Sequence, residues 1–493
     1  MTVGDLMAES GVAFGTSGAR GTVVAMTDRV CHGYTTGFLR YLESLGEFAH
    51  GGKVALAGDL RPSTPRILAA CAAAVRDMGG EPVYCGLVPT PTLALHAFAA
   101  GIPSLMVTGS HIPADRNGIK FYRPHGEVLK DDEAGMMAQP VAVEGRTFAA
   151  DGALDAAEVL PPVTDIVPPY VARYRDAFGP EALRGKRIGV YQHSAVGRDV
   201  VVSILEALDA QVTPLGRSAV FVPVDTEAVR DEDVALARGW AAEHGFAAII
   251  STDGDSDRPL LSDERGEWLR GDVLGVLCAR QLGADRVVTP VSSNTVLEET
   301  GAFAVTARTR IGSPYVIAEM NRQLEAGGMR VCGYEANGGF LVGSDLALAH
   351  GPLGALPTRD AVLPVVATII AAGAQPISAL VGALPPRVTY SNRIEAFPTA
   401  TSRAILAQLE SGSEAEQLAR IEAAFGAVAG TPVGTDRTDG LRITFESGDV
   451  IHLRPSGNAP ELRCYTEARD AHRARDLNDQ ALAVVRDTLA IEV

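Results

Sequence analysis

The sequence lacks any run of apolar residues long enough to cross a membrane. Its longest apolar run, residues 361–374, contains Pro364 and is shorter than the roughly 20 residues that a membrane-spanning helix needs. We interpret it as a buried helix and expect no membrane partner. The first ten residues, M-T-V-G-D-L-M-A-E-S, carry acidic groups where a secretory signal carries basic ones, so we expect a cytoplasmic protein.

Cysteine and positive charge are also scarce. The six cysteines are scattered without a C-x-x-C pair, so neither a zinc site nor a disulfide framework is indicated, and we expect buried free thiols. The formal net charge of −17 argues against a nucleic-acid partner, because a phosphate backbone needs a basic surface. An anionic substrate would need a local basic pocket in this acidic protein.

The composition that is present is that of a globular protein with more than one domain. The chain has 493 residues, of which 46% are apolar and 21% are charged, and it is too long for a single hydrophobic core. Apolar runs bounded by glycine or charged residues indicate buried parallel strands at 53–59, 187–191, 246–252 and 286–291. An alanine-rich segment with helical spacing, 65–80, ends on a glycine pair. This alternation predicts α/β domains with mostly parallel sheets.

Proline pairs suggest where the domains meet. Two Pro-Pro pairs in residues 158–170 and a third at 385–386 interrupt helices and central strands, and a weaker break falls at 270–272. We therefore predict four domains, at 1–157, 171–269, 270–382 and 388–493. The last one contains alternating apolar runs, which are typical of antiparallel strands, so we expect an α+β domain there.

Polar loops follow several of the predicted strands, where ligands bind in open α/β sheets. One such loop contains Asp253, Asp255 and Asp257, directly after the strand at 246–252. Carboxylates this close repel one another, so the loop is stable only if it is well hydrated or holds a hard cation, for which Mg²⁺ fits best. Arg258, the next residue, is placed to pair with a phosphate oxygen near such a metal.

Three other loops offer groups that bind phosphates or sugars. The run R-P-S-G-N-A-P-E-L-R has the donors of a phosphate site, namely Arg454, Ser456, Gly457, Asn458 and Arg463. The run F-G-T-S-G-A-R-G contains Arg20, and G-Y-E-A-N-G-G-F contains Glu335 and Asn337, which are able to hydrogen-bond adjacent sugar hydroxyls. Taken singly, each loop is also compatible with an ordinary polar turn.

Taken together in chain order, five loops resemble the motifs of the α-D-phosphohexomutase superfamily, and most closely its phosphomannomutase/phosphoglucomutase members. They are F-G-T-S-G-A-R-G, T-G-S-H-I-P, D-G-D-S-D-R, E-A-N-G-G and R-P-S-G-N-A-P. The match spans nearly the whole chain. The resemblance implies three similar α/β domains with mixed, mostly parallel sheets, and a C-terminal domain of a different kind, around a central cleft.

The resemblance also implies a reaction. Ser110, in T-G-S-H-I-P, would carry a phosphoryl group in the resting enzyme, and this phosphoserine would hold Mg²⁺ together with Asp253, Asp255 and Asp257. The phosphoryl group would pass to one end of a hexose monophosphate. The resulting hexose 1,6-bisphosphate would turn around and return its other phosphate to Ser110. The expected activity is interconversion of hexose 6-phosphate and hexose 1-phosphate.

Further residues are assigned roles by the same resemblance. Lys120 is nominated as an acid/base or electrostatic helper, and Arg20 and Arg258 would line the same site. His111 is expected to orient or assist the serine, although a histidine that only caps the loop is the alternative. Two weaker candidates are Arg310, in a segment that resembles one facing the sugar, and His193, after a strand of the second domain.

The chain departs from the family pattern at several positions. Ile112 stands where the serine loop of the family usually has Asn, so one polar contact beside the nucleophile is missing. In the sugar loop, Asn337 and Gly339 replace a serine and a histidine, and in the phosphate loop Asn458 and Ala459 replace Thr and Glu. These changes leave the transfer chemistry in place and put the identity of the substrate in doubt.

Several alternatives remain open at this point. Phosphomannomutase is the preferred activity, and phosphoglucomutase and phosphoglucosamine mutase are alternatives within the class. A magnesium-dependent hydrolase or a non-catalytic sugar-phosphate-binding protein would belong to a different class. The protein is expected to act as a monomer or a homodimer.

Overall fold

The computed structural model describes residues 1–15, 18–456 and 460–490. The chain forms two compact units, the first made of Met1–Val287 and Gly312–Val381, the second of Val288–Ile311 and Gly382–Val493. Among the described residues, no helix combines the length and the apolar character that crossing a lipid bilayer requires.

The first unit begins with a seven-stranded mixed sheet. Strands β1–β7 are Ala13–Phe14, Ala19–Thr22, Lys53–Gly58, Glu81–Leu87, Ser104–Val107, Arg116–Arg123 and Gly126–Glu127; helices α1–α5 are Val3–Ser10, Asp28–Leu45, Thr64–Asp77, Thr90–Ala100 and Lys130–Met137. The strand order is β1-β2-β6-β5-β3-β4, with β7 beside β6. Strand β3 is parallel to β4 and β5, whereas β6 is antiparallel to β5 and β2.

Alternate residues of β3 face two separate cores. Val54 and Leu56 pack into one core with residues of α2 and α3, and Ala55 and Ala57 pack into another with residues of α4. Because successive side chains of a strand point to opposite faces, a strand with helices on both sides has to be apolar throughout. This explains the unbroken apolar run that indicated the strand.

The second sheet has four strands in the order β11-β10-β8-β9. Strands β8–β11 are Arg187–His193, Gln211–Arg217, Ala248–Thr252 and Pro259–Leu261, and helices α6–α8 are Val167–Phe178, Arg198–Ala207 and Asp231–His244. Strand β8 is parallel to β9 and β10, and β11 is antiparallel to β10. The prediction that residues 158–170 form a linker is wrong at its end, because Pro168 and Pro169 lie in the first turn of α6. Proline is tolerated there, since the first helical N–H groups have no partner within the helix.

The third region alternates helices and short strands. Helices α9–α13 are Gly271–Gln281, Val296–Glu299, Ser313–Glu325, Val362–Ala372 and Ile377–Gly382; strands β12–β18 are Arg286–Pro290, Val305–Thr309, Val331–Tyr334, Phe340–Val342, Leu346–Ala347, Pro352–Leu353 and Leu356–Asp360. In the first unit, β15 is antiparallel to both β14 and β18. The boundary between the two units falls within β12.

The second unit contains a five-stranded antiparallel sheet in the order β19-β23-β22-β21-β20. Strands β19–β23 are Val388–Ile394, Pro432–Asp436, Leu441–Phe445, Val450–Pro455 and Leu462–Ala468; helices α14–α16 are Thr399–Leu409, Glu414–Ala429 and Ala471–Val484, and a π-helical turn, Val485–Leu489, follows α16. Alternate residues of β21 are buried and pack in one core with the three helices. The alternating pattern therefore correctly predicted an α+β fold.

Most elements that the sequence indicated are present. The four predicted buried strands correspond to β3, β8, β10 and β12, and the apolar run at 361–374 is the buried helix α12. All six cysteines are buried and free. The expected α/β class with mixed sheets is confirmed.

Candidate active site

The aspartate loop directly follows β10 in the first unit. Asp253, Asp255 and Asp257 are completely buried, and one carboxylate oxygen from each lies within 4.8 Å of the others. The Asp253 N–H donates to the Arg258 carbonyl at 3.1 Å, and the N–H groups of Asp257 and Arg258 donate to Asp253 Oδ1 at 3.2 Å. The loop is therefore held by hydrogen bonds among its own residues, and its three carboxylates are shielded from solvent.

The donor set of this loop fits a hard divalent cation. Asp255 Oδ1 and Asp257 Oδ1 are buried and have no hydrogen-bond partner in the described part of the chain. Burial raises the pKa of Asp253 well above its usual range, and the charges of Asp255 and Asp257 raise it further. Three buried carboxylates are costly unless positive charge compensates them, and oxygen-rich sites of this kind suit Mg²⁺.

Ser110 lies next to the aspartate loop, as the resemblance implied. The serine is completely buried, and its Oγ donates to Asp253 Oδ2 at 2.5 Å. Its N–H donates to Thr108 Oγ1 at 2.8 Å, just beyond the end of β5. The backbone of Ser110 has a φ of 55°, in the left-handed region that costs a residue with a side chain about 1 kcal/mol or more. A strained backbone thus presents one hydroxyl to the carboxylates.

His111 contacts Arg258 more closely than it contacts the serine. Its Nδ1 is 2.8 Å from an Arg258 guanidinium nitrogen and 3.4 Å from Ser110 Oγ. Because a guanidinium only donates hydrogen bonds, Nδ1 acts as the acceptor and carries no proton. Burial, followed by the charge of Arg258, lowers the pKa of His111 to about 3. The geometry favours a neutral imidazole that orients Arg258 over one that accepts the Ser110 proton at Nδ1.

Lys120 and Arg258 bring positive charge to the carboxylates. Lys120, on β6, places its Nζ 2.6 Å from Asp255 Oδ2 and 2.5 Å from Asp257 Oδ2. The Arg258 Nε lies 3.7 Å from Asp257 Oδ1 and 4.0 Å from Asp253 Oδ2. The Oδ2 atoms of Asp255 and Asp257 are therefore engaged by Lys120, while their Oδ1 atoms accept no hydrogen bond from the described residues.

Arg20 belongs to the same cluster. It lies on β2, paired with Gly118 of the neighbouring strand β6. Burial lowers the pKa of Arg20 to about 10, and the charges of Arg258 and Arg359 act in the same direction. Such crowding of like charges favours the binding of an anion among them.

Arg61 is a residue of this site that the sequence analysis missed. It is 1% exposed, and its two terminal nitrogens donate to four backbone carbonyls of the serine loop. The acceptors are Ser110 O, Ile112 O, Pro113 O and Arg116 O, at 2.9, 2.5, 2.7 and 3.0 Å. Arg61 thus fixes the backbone that carries the nucleophile candidate.

Two further contacts hold Arg61 itself. Its Nε donates to Asp59 Oδ2 at 3.1 Å, and its guanidinium carbon lies 4.1 Å from the centroid of the Phe221 ring. Asp59 and Arg61 directly follow β3. Because ligands bind beyond the carboxyl ends of strands in open α/β sheets, this position is a sequence signal that could have identified them.

Replacing Arg61 by lysine is expected to lower kcat about 100-fold with little change in KM. An ammonium cannot reach four carbonyls at once, and displacing a reacting group by about 1 Å costs a factor of this order. Steady-state kinetics on the purified variant would measure it. The matched control is Arg66→Lys, since Arg66 also binds one aspartate and two carbonyls, but its side chain is 41% exposed and none of these partners belongs to the serine loop. Equal losses in the two variants would contradict a role in holding the serine loop.

Glu335 and Asn337, the candidates for sugar recognition, lie in the loop that joins β14 to β15. Glu335 is 3% exposed, and its Oε2 accepts from Arg359 at 3.0 Å. The Asn337 side-chain oxygen accepts from the Gly339 N–H at 2.9 Å, and the Asn337 carbonyl accepts from Thr226 Oγ1 at 2.8 Å. Asn337 thus shapes the loop through its oxygens, whereas Glu335 is held by an arginine on a different strand, β18.

The predicted phosphate-binding residues lie in the second unit. Arg454 and Arg463 are directly opposite each other on β22 and β23, and each has its own carboxylate, Asp439 for Arg454 and Glu461 for Arg463. The Ser456 N–H donates to the Glu461 carbonyl at 2.9 Å. Two cations opposed on one face repel each other, so a bound anion would stabilise the pair.

Other predicted residues of this unit are placed as follows. The Arg310 Nε donates to the Thr438 carbonyl at 3.2 Å, which ties its loop to the turn before β21. Gly457, Asn458 and Ala459 lie outside the described residues.

His193 is completely buried behind the aspartate loop, where its Nε2 lies 2.8 Å from the Thr252 carbonyl. Within the described residues its Nδ1 has no hydrogen-bond partner. Burial lowers the pKa of His193 to about 4; Asp233 acts to raise it, and Arg230 and Arg198 act to lower it. The imidazole is therefore a neutral structural group that supports the strand end.

This burial predicts a dependence of stability on pH. The unfolded histidine titrates near 6.5 and the folded one near 4, so below pH 6.5 the unfolded chain binds more protons. The stability that the neutral His193 contributes is complete above pH 6.5. As the pH falls to 4, the free energy of unfolding decreases by up to about 3 kcal/mol because of this group. We expect the free energy of unfolding, measured in urea, to decline less between pH 6.5 and pH 4 for His193→Gln than for the wild type. Identical slopes would contradict a buried neutral imidazole.

Comparison with known proteins places this geometry in a family. Four models of the phosphoglucomutase/phosphomannomutase family match the chain: alpha/beta/alpha domain I at 11–142, domain II at 168–266, domain III at 270–388 and the C-terminal domain at 406–484. A phosphomannomutase of Sinorhizobium fredii is 45% identical over 97% of this chain and 100% of its own, and one of Salmonella muenchen is 44% identical over 98% of each. The chain belongs to the phosphoglucomutase/phosphomannomutase family.

Solved structures from the phosphoglucomutase/phosphomannomutase family and related mutases share the fold. A putative phosphomannomutase from Thermus thermophilus aligns with a TM-score of 0.72 and 20% identity, covering 96% of this chain and 99% of that one. An Aspergillus fumigatus N-acetylphosphoglucosamine mutase, solved in complex with GlcNAc-6P and magnesium, aligns with a TM-score of 0.58 and 14% identity over 99% of each chain. These structures show the shared fold, while the four family models and the two phosphomannomutase relatives confirm the resemblance inferred from the five loops.

The structure accounts for one of two departures from the pattern of the phosphoglucomutase/phosphomannomutase family. Position 112 contributes its backbone carbonyl to Arg61, a contact that does not depend on the side chain, so nothing in the structure explains Ile112. At position 339, a Cβ atom would lie 2.5 Å from Arg359 Cδ and 2.6 Å from its Cγ. The space that a side chain of residue 339 would fill is therefore occupied by Arg359, a second residue that the sequence analysis missed.

Proposed function

We propose that the protein is a phosphohexomutase that interconverts hexose 6-phosphate and hexose 1-phosphate, with mannose phosphates as the preferred substrates. The observation that carries this proposal is the buried Ser110 hydroxyl, 2.5 Å from Asp253 in a cluster of three carboxylates and Lys120. The two relatives from Sinorhizobium fredii and Salmonella muenchen, both named phosphomannomutase, support the choice of mannose phosphates.

In this proposal Ser110 carries the phosphoryl group between substrate molecules. The bond from phosphorus to Ser110 Oγ breaks as a bond to a hexose hydroxyl oxygen forms, and the proton of that hydroxyl ends on Ser110 Oγ. The reverse step returns the other phosphate of the hexose 1,6-bisphosphate to Ser110 Oγ, and the proton ends on the sugar oxygen that is released. Phosphoryl transfer requires mainly positioning and charge neutralisation. Arg61 holds the serine loop, while Arg20 and Arg258 place positive charge beside the transferred group.

Lys120 and the aspartates serve the same reaction. Lys120 Nζ binds Oδ2 of Asp255 and of Asp257, which holds both carboxylates in place and puts an ammonium beside the phosphoryl group, where it acts as an electrostatic or acid/base helper. Bound by Asp253, Asp255, Asp257 and the phosphorylated Ser110, Mg²⁺ would supply Lewis-acid neutralisation of the phosphoryl oxygens. The magnesium in the Aspergillus fumigatus mutase supports the choice of this ion.

Substrate recognition is proposed to involve two groups of residues. Glu335 and Asn337 would bind hydroxyls of the sugar. The phosphate that does not react would be held by residues of the second unit, namely Arg310, Arg454, Ser456, Gly457, Asn458 and Arg463. The pairing of Arg454 opposite Arg463 supports this assignment, because two opposed cations favour a shared anion.

A coupled assay tests the proposed function. Mannose 1-phosphate, glucose 1-phosphate and glucosamine 1-phosphate are compared with and without Mg²⁺ and a hexose 1,6-bisphosphate activator. We expect the largest kcat/KM with mannose 1-phosphate. A preference for another of these sugars would correct the substrate and keep the reaction class. No turnover on any of them would favour a sugar-phosphate-binding protein or a hydrolase.

Other features stay predictions. From the sequence and its resemblance we predict domain limits at 1–157, 171–269, 270–382 and 388–493, a monomer or homodimer, and a cytoplasmic location.

The intact mass of protein purified without phosphatase is expected to include a fraction heavier by one phosphoryl group, mapping to Ser110.

A further inference from the structure

Arg359 joins the aspartate loop to the sugar-loop candidate Glu335. It lies on β18 and is 1% exposed. Its Nε and one terminal nitrogen each lie 2.9 Å from Asp257 Oδ2, and the other terminal nitrogen donates to Glu335 Oε2 at 3.0 Å. One planar cation therefore sets the orientation of two carboxylates that belong to loops after different strands, β10 and β14.

The contacts of Arg359 leave a defined oxygen of Asp257 available. Asp257 Oδ2 is shared by Arg359 and Lys120, whereas Oδ1 has no hydrogen-bond partner among the described residues. A carboxylate held at one oxygen by two cations cannot rotate without losing both contacts. The oxygen proposed to face the cation is thus selected by residues on β6 and β18.

The stem of Arg359 requires the glycine at position 339. A Cβ on Gly339 would meet Arg359 Cδ at 2.5 Å, Cγ at 2.6 Å and Cβ at 3.0 Å. The backbone of Gly339 does not have a positive φ, so lack of space, and not conformational freedom, demands glycine here. Arg359 and Gly339 therefore form a matched pair in which the arginine occupies the volume of the absent side chain.

A second hydrogen-bond chain anchors Arg359 from the first sheet. The Ser313 hydroxyl lies 3.2 Å from an Arg359 terminal nitrogen and donates to Glu127 Oε2 at 2.8 Å. The other oxygen of Glu127 accepts from Thr358 Oγ1 at 2.7 Å. All these groups are buried, and charged groups held in this way have few alternative positions.

We infer that Arg359 is a positioning residue that couples the Glu335 carboxylate to the Asp257 carboxylate, and that the glycine at position 339 makes room for it. The inference rests on the proposed function, because Glu335 contacts the sugar and Asp257 the cation only in that function. Its consequence is that sugar binding and phosphoryl transfer depend on the same guanidinium, although Arg359 itself is assigned no contact with the reacting atoms.

The kinetic test is Arg359→Lys. Lysine keeps the charge but cannot reach both carboxylates in the planar geometry, so we expect KM for the sugar phosphate to rise, kcat to fall and kcat/KM to drop at least about 10-fold. The matched control is Arg123→Lys, because Arg123 also joins two carboxylates, Glu47 and Asp132, at the far end of β6. The control should keep kcat/KM within about 2-fold. An unchanged KM and kcat in Arg359→Lys would overturn the inference.

The structural test needs no activity. Urea unfolding is measured for Gly339→Ala in three backgrounds: wild type, Arg359→Lys and Arg359→Ala. We expect Gly339→Ala to lower the free energy of unfolding strongly in the wild type and in Arg359→Lys, where the aliphatic part of side chain 359 remains. The decrease should be much smaller in Arg359→Ala, where Cγ and Cδ are absent. Equal losses in all three would refute the matched pair. If Arg359→Ala does not fold, the kinetic test decides the inference.

These outcomes separate the inference from the proposed function. A wild-type protein without mutase activity would refute the proposed function, while the unfolding measurements would still report on Arg359 and Gly339. An active wild type with an unchanged Arg359→Lys variant would refute the positioning role alone.

Discussion

Replacing Ser110 by alanine is expected to abolish hexose phosphate interconversion, with a fall in kcat of at least about 10⁴-fold. Removing the nucleophile of a double-displacement reaction leaves only binding and electrostatic contributions to the rate. The Ser110 hydroxyl is completely buried against Asp253, and the loop that carries it is held by Arg61 at four carbonyls. The coupled assay measures the loss, and the phosphorylated fraction should disappear from the intact mass spectrum.

Ser110→Gly is the matched companion of this variant. Both substitutions remove the hydroxyl, but only glycine relieves the backbone at a φ of 55°. We expect Ser110→Gly to be more stable than Ser110→Ala by about 1 kcal/mol in urea unfolding, and equally inactive. Full activity in Ser110→Ala would rule out the phosphoserine mechanism.

Removing divalent cations is expected to lower activity at least about 1000-fold and to destabilise the fold. The three buried carboxylates then lose the charge that offsets their repulsion, and ligand binding to the native state alone raises its stability. We expect added Mg²⁺ to raise the Tm of the wild type, to restore activity after chelation, and to do neither in Asp255→Asn. Calorimetry and the coupled assay measure the two effects.

The control for the cation experiment is Asp263→Asn. Asp263 is also a buried aspartate, 3% exposed, but its carboxylate binds Arg265 outside the cluster. Its substitution should lower stability while the Tm response to Mg²⁺ stays intact. A wild-type Tm that does not respond to Mg²⁺ would contradict a cation site formed by the aspartate loop.

Much of the proposed site was predicted because its residues follow strands or share a short loop. Ser110 follows β5, and Asp253, Asp255 and Asp257 follow β10, so local patterns and the order of the motifs were sufficient to find them. Lys120 lies inside a strand, and only the resemblance nominated it. The structure then brings it within 2.6 Å of Asp255.

Arg61 and Arg359 are residues of the proposed site whose contacts could not be predicted from local sequence patterns. Arg61 is separated from Ser110 by 49 residues, and Arg359 from Asp257 by 102. No local spacing relates such residues, because the contacts arise only when strands from different parts of the chain pair in one register. The same holds for Gly339. The sequence alone suggested that a functional side chain is missing at this position, whereas in the structure Arg359 fills the space of that side chain.

The sequence by itself determined the α/β class, the buried strands, the antiparallel C-terminal sheet and the residues of each loop, since these depend on periodicity and on neighbouring residues. Tertiary structure alone decided which carboxylate oxygens are engaged, that His111 accepts from Arg258, and which arginines hold the serine and sugar loops. These features depend on distances between chain segments far apart in sequence. Burial then makes each of these contacts strong, because water no longer competes for the charged groups.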